Sequence, residues 1–396
     1  MFNGLTQIGI ITAMNLRNLP QRIGTSSVAV FGVACVVGVL IGVMSMASGF
    51  QRTMTNAGSP TTAIVMRTGA TSELNSGINY EQSQLIANSP GIQRADGEPV
   101  ASPELFVIVD LLKRATQSSA NVPLRGVGPN AFAVRDSVKI IEGRNFEAGR
   151  NELIVGRGAH SQFANLDVGS TINFGATEWT VVGIFTAGGG LSESELWCDS
   201  RILQNAYRRG NSFQSVRVKL TAPEALSELK TAIASNPQLE MDAQLETDYL
   251  AAQAEPVSMF IKAVGYPVAI LMALGAIFGA INTMYASVST RTREIATLRA
   301  LGFGSFPVAF STLFESLVLS LIGGAVGSVI VFLLFNGYSV STLNFSSFSQ
   351  VVFDFAVTID LLIQGVFFAA IIGLIGGLFP AIRAAKLPVA TALRET

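Results

Sequence analysis

The sequence predicts an α-helical membrane protein with four transmembrane helices and an α/β extracytoplasmic domain inserted between helices 1 and 2. Three observations carry this. Only 13% of the 396 residues are charged, about half the share of a soluble domain. Four stretches lack Asp, Glu, Lys and Arg altogether: Ile23 to Gln51, Ala263 to Thr290, Ser316 to Phe353 and Leu361 to Ile382, of 29, 28, 38 and 22 residues. Between the first two lies a mostly polar segment, Arg52 to Lys262, of 211 residues.

Each stretch reaches the 20 or so apolar residues that cross a bilayer. The third leaves room for a span followed by the polar tract Asn336 to Gln350. Ser45-Met46-Ala47 resembles a signal-cleavage site. A signal sequence, however, has an apolar core of only about 7 to 15 residues, so the first stretch reads as a retained span.

Short basic flanks set orientation, because long domains cross largely regardless of charge. Arg17, Arg22, Arg291, Arg293, Arg299, Arg383, Lys386 and Arg394 lie beside the spans, against Glu294 and Glu395. The connection from Ser339 to Asp360 holds Asp354 and Asp360 and no basic residue. Both termini and the linker after the second span are therefore expected in the cytoplasm, and 52–262 outside it.

Within the outer segment, Ala63 to Arg67 alternates as a strand and Tyr80 to Ala87 reads as a helix stopped before Pro90. Leu105 to Leu112 is an apolar strand, Glu152 to Gly156 a strand leading into a helix, and Thr171 to Phe174 with Glu178 to Phe185 a hairpin around Gly175. Thr221-Ala-Pro-Glu224 reads as a capping box opening a helix to about Ser235. This mixture implies more than one subdomain. From Asp242 no glycine occurs before Gly265, so the helix entering the second span can begin well outside the membrane as a stalk.

Several chemistries are excluded. A formal charge of -1 gives no electrostatic case for nucleic acid. His160 is the sole histidine, and Cys35 and Cys198 the two cysteines, which removes His-rich and CxxC metal sites and any disulfide framework. No catalytic or metal-binding constellation is expected.

Every span carries a GxxxG spacing: Gly38 with Gly42, Gly275 with Gly279, Gly323 with Gly327, and Gly373 with Gly377. Small residues four apart let backbones approach closely in lipid, although glycine is common in membrane helices anyway. Four such pairs favour a packed bundle, within one chain or between two copies. Glu315, near the start of the third span, is either a structural partner of the linker arginines or an ion-coupling group. In the linker, Ile295, Leu298 and Leu301 form an apolar stripe on a short helix that Gly302 can end. Such a helix lies on lipid headgroups or docks a protein.

Arg291, Arg293-Glu294-Ile295 and Leu298-Arg299-Ala300-Leu301-Gly302 resemble the coupling segment of FtsX/MacB-type ABC permeases, a group that includes LolC/LolE-like proteins. The position of Glu315, Gly323-Gly324, the stretch from Asn151 to Phe185 and the tail from Phe379 to Glu395 are similar to that family as well. The resemblance implies a non-enzymatic permease subunit of the bacterial inner membrane. It divides into a cytoplasmic flank (1–22), first span and stalk (23–51), periplasmic MacB-like core (52–245), stalk and second span (246–290), coupling helix (291–304), third span (305–338), short periplasmic loop (339–360), fourth span (361–382) and cytoplasmic tail (383–396). Implied partners are an ABC ATP-binding subunit, a second permease copy forming a homodimer, a periplasmic adaptor (a membrane fusion protein) and membrane lipids. No GxxxxGK[ST] phosphate loop occurs, so ATP and Mg are expected in the partner ATPase and no cofactor on this chain. Ile295, Leu298 and Arg299 are expected to insert into or contact that partner. The activity implied is ATP-driven export; the alternatives are lipoprotein or lipid extraction, and signalling to an outer hydrolase. An ion-driven carrier would need charges midway through spans.

Overall fold

The structure, a computed structural model, describes residues 4–18 and 23–389. Arg22, Arg394, Glu395 and the end of the family-like tail lie outside the described residues. Two compact units divide the chain: 1–47, 260–338 and 356–396 form the first, 48–259 and 339–355 the second.

The helices in chain order are α1 (Gly4–Asn18), α2 (Ile23–Asn56), α3 (Tyr80–Ala87), α4 (Ala131–Val134), α5 (Arg157–Gln162), α6 (Ser200–Ala206), α7 (Ala225–Ser235), α8 (Glu246–Thr290), α9 (Thr292–Ala300), α10 (Ser305–Phe335) and α11 (Ile359–Ala385). The strands are β1 (Thr62–Arg67), β2 (Arg94–Ala95), β3 (Glu98–Pro99), β4 (Ala101–Leu112), β5 (Ser119–Val127), β6 (Lys139–Gly143) and β7 (Glu152–Gly156). They continue with β8 (Thr171–Phe174), β9 (Thr177–Thr186), β10 (Leu196–Asp199), β11 (Ser215–Lys219), β12 (Met241–Leu245), β13 (Ser339–Asn344) and β14 (Ser349–Asp354).

Among the described residues four helices, α2, α8, α10 and α11, are long and apolar enough to cross a membrane, as the uncharged stretches predict. In the first unit, Val33, Val37 and Ile41 of α2 pack with Ala269 of α8 and Ala369 and Ile372 of α11. Close approach depends on glycine. A Cβ on Gly323 would come 2.6 Å from the Val30 carbonyl, and one on Gly327 would overlap the Ala34 carbonyl.

The second unit is built on a sheet of ten strands in the order β12-β1-β11-β4-β5-β10-β7-β9-β6, with β8 also on β9. β4 is the seam. Its first residues, Ala101 to Glu104, pair with β11, and Leu105 to Leu112 pair with β5. Each half has its own core. Val65, Val216, Val218 and Ala243 pack with Ile86, Leu229 and Ile233 of α3 and α7 on one side of the seam. Leu124, Leu153, Trp179 and Val181 pack with Ala159 and Leu203 of α5 and α6 on the other.

Two readings of this region change. The capping box at Thr221 does not form, because the Thr221 hydroxyl donates to the Gly91 carbonyl and Glu224 takes the N-cap position without a side-chain cap. The connection after α10 is no simple loop: β13 and β14 form an antiparallel hairpin that belongs to the second unit. The Ser194 hydroxyl donates to the Val352 carbonyl and accepts from the Val352 amide, and the Asn121 amide group donates to the Phe348 carbonyl.

Candidate functional site

The linker after α8 folds into α9, a helix of nine residues capped by Arg291 and closed by Gly302 at φ +95°. A side chain at Gly302 would be strained in that left-handed conformation. Nine residues are too few for a stable isolated helix, so α9 owes its order to what its inner face touches. Ile295 and Ala296 are buried, and Ile295 clusters with Val288, Val308, Ala384 and Ile11 of α1, with Leu298 half-buried beside them. Arg291 is buried too: Nη1 donates to Glu315 Oε2 at 2.8 Å and Nη2 to Asn15 Oδ1 at 2.6 Å. The Asn15 amide group donates onward to Ser311 Oγ at 3.0 Å. Arg299 donates to the Ala385 carbonyl at the end of α11.

The coupling residues named from sequence therefore divide. Arg293, Glu294, Leu301 and Gly302 are exposed, Leu301 at 73%. Arg291 and Ile295 point into the chain, and Leu298 and Arg299 are partly engaged by it. Insertion of Ile295 into a partner is corrected: at 8% exposure its side chain already fills the chain's own cluster. Glu315, 3% exposed, sits opposite Arg291.

The glycine pairs divide as well. Gly323 and Gly327 meet α2; Gly373 and Gly377 meet Ser320 and Ser316 of α10. Gly38 is in ordinary contact with Val331 at 3.5 Å, while Gly42, Gly275 and Gly279 have open space where a Cβ would project. The closest glycine of α8 is instead Gly265, against Val43.

The second unit holds a cluster of charges that sequence reading missed. Arg125 of β5 is 2% exposed. Its guanidinium grips Glu195 through two bonds of 2.7 Å and reaches Glu73 at 2.8 Å and Glu104 at 2.9 Å. Arg135 takes both oxygens of Glu104 at 2.7 Å. Arg217 of β11 joins Glu104 at 2.6 Å, Glu73 at 2.9 Å and Glu246, the first residue of α8, at 2.9 Å. The cluster sits on the seam of the sheet and ties both halves to the start of α8.

Burial would raise the carboxyl pKa of Glu104, but Arg135, Arg217 and Arg125 outweigh it and hold it at about 2. Glu73 is likewise lowered, since Arg125 and Arg217 overcome its burial. On α8, burial and the neighbouring Glu73 raise Tyr249, whose hydroxyl accepts the Glu73 amide at 3.2 Å. Nothing in the local pattern Val216-Arg217-Val218 marks Arg217 as buried, so the cluster is visible only in the fold. Asn15 carries a signal in the sequence: Gln7, Ile11 and Asn15 recur at helical spacing on one face. Among the described residues no three His, Cys, Asp or Glu side chains converge as metal ligands.

Comparison with known proteins bears on both units. Residues 26–236 match the MacB-like periplasmic core domain, and residues 267–389 the FtsX-like permease C-terminal region. The chain is 24% identical over 307 residues to the macrolide export ATP-binding/permease protein MacB 1 of Aeromonas hydrophila, covering 72% of this chain and 45% of that protein. It is 28% identical over 302 residues to the uncharacterized ABC transporter permease YknZ of Bacillus subtilis, covering 71% and 72%. The chain spans about half the length of the MacB relatives it matches, 45% and 44% for two of them. The periplasmic region of MacB from Actinobacillus actinomycetemcomitans aligns with a TM-score of 0.38 at 15% identity, over 48% of this chain and 92% of that one. The extracellular domain of YknZ aligns with a TM-score of 0.35 at 14% identity, over 46% and 99%.

Proposed function

The chain belongs to the MacB/FtsX-like ABC transporter permease family, and on that premise we propose that it is the membrane subunit of an ATP-driven exporter of the inner membrane. It works as a dimer with a separate ATP-binding subunit that carries ATP and Mg, and with a periplasmic adaptor. Both termini and α9 lie in the cytoplasm, in keeping with the basic residues beside the spans. The names of the MacB relatives support export over lipoprotein extraction or signalling.

One observation carries the reading. α9 is anchored on its inner face and bare on its outer one, where Arg293, Glu294, Thr297, Ala300 and Leu301 are exposed. An exposed leucine beside charges that can orient a partner suits a small docking knob. Inward-facing anchors then carry a push on that knob into α8 and α10.

The test is purification in mild detergent with mass spectrometry of the bound subunits, comparing the parent chain with Leu301→Glu and Arg293→Glu. Burying a leucine contributes roughly 2 kcal/mol, so the leucine variant should retain about one-thirtieth of the ATP-binding subunit. Parental recovery of the ATP-binding subunit from both variants would remove α9 as the docking site. A cell-wall hydrolase among the partners would replace export with signalling.

A further inference from the structure

We propose that α1 is a splint for α9, and that Asn15 is the positioning residue through which α1 sets the orientation of the docking helix. This rests on the reading of α9 as the docking helix, although the splint itself is a property of the chain alone.

Three residues of α1 spaced four apart meet the two ends and the middle of the α9 segment. Asn15 accepts from Arg291, the residue that caps α9 at its start. Ile11, 2% exposed, shares a cluster with Ile295 in the middle. Gln7 accepts the amide of Gly304, just past the Gly302 turn, at 3.1 Å. The contacts therefore run in reverse order along the two segments, Asn15 to Arg291, Ile11 beside Ile295 and Gln7 to Gly304.

Chemistry explains the choice of asparagine. Arg291 is buried and needs acceptors on more than one side. Glu315 supplies charge; the Asn15 carbonyl supplies a second acceptor without adding another buried charge, and its amide group fastens α1 to Ser311 of α10. The one side chain thus links α1, α9 and α10. A helix too short to hold itself becomes stiff enough to transmit a displacement.

Hydrogen exchange of the full chain in lipid nanodiscs tests this without any partner. In Asn15→Leu, the amides of Ile295 to Leu301 should exchange at least about tenfold faster, because a bond to a charged group is lost. Asn15→Gln, which keeps an uncharged carbonyl acceptor and an amide donor, should exchange more slowly than Asn15→Leu, and Gly365 to Gly377 of α11 should be unchanged in both. Gln7→Ala, a milder variant, should speed the Gly304 amide alone. With the ATP-binding subunit assembled, Asn15→Leu should lower kcat for ATP while KM holds, since the nucleotide site lies on another subunit. Parental exchange across 295–301 in Asn15→Leu, or equal acceleration of α11, would overturn the splint. If the parent chain binds no ATP-binding subunit, the proposed function fails, and the exchange result still decides the splint.

Discussion

Glu104 accepts from Arg125, Arg135 and Arg217 while fully buried. A buried charge of this kind contributes little over an apolar replacement of the whole cluster, but removing one member strands the others. Glu104→Gln should therefore destabilise the second unit by about 3 to 5 kcal/mol at pH 7. The pH dependence follows from the lowered carboxyl pKa. A group held at about 2 against an ordinary 4.5 contributes fully above the ordinary value, and that contribution is lost as pH falls from 4.5 toward 2. The parent protein should lose stability across this window, and Glu104→Gln should show a smaller loss. Trp179 and Trp197, the two tryptophans, are both buried in this unit. Their fluorescence during denaturant titration in detergent reports on it selectively, and an unchanged acid profile in Glu104→Gln would refute the assignment.

At the scale of elements, sequence and structure agree best where length alone decides. The four spans were legible because a bilayer demands about 20 apolar residues whatever surrounds them. The strands at Ala63 and Glu152 and the hairpin around Gly175 followed from alternation and turn chemistry. What stayed out of reach was the facing of each element. Four GxxxG spacings look alike as text, yet Gly327 abuts a backbone and Gly279 meets nothing within the chain. Gly327→Ala should lower the thermal stability of the detergent-solubilised chain, at a cost of about 1 to 3 kcal/mol, because the Ala34 carbonyl cannot swing aside as a side chain would. Gly279→Ala should leave it unchanged. Equal melting temperatures for the two variants would show that α2 and α10 can part at no cost. The α9 segment was legible as a pattern, whereas its division into anchors and exposed residues depends on α1, a helix within the flank 1–22 that the sequence reading did not include.

At the scale of the whole molecule, the four spans and basic flanks make a topology that labelling can check. In a background without Cys35 and Cys198, single cysteines replacing the exposed Ser161, Ser227 and Phe348 should react with a membrane-impermeant maleimide once the outer membrane is opened. A cysteine replacing Ala300 should stay protected until the inner membrane is broken. Phe348 matters most, since it lies between the third and fourth spans yet its carbonyl is held by Asn121. Labelling of Phe348 from the opposite side to Ser161 would contradict the placement of the hairpin.

That hairpin makes the second unit discontinuous in the gene. Its residues come from two separate stretches of sequence, 48–259 and 339–355. Between them the ribosome must make 79 residues that include the end of α8 and all of α9 and α10. The sheet can close early in synthesis, but the surface that receives Val351, Val352 and Phe353, all buried in the finished chain, must wait for the third span to be inserted. Completion of the outer unit is thereby tied to completion of the membrane unit.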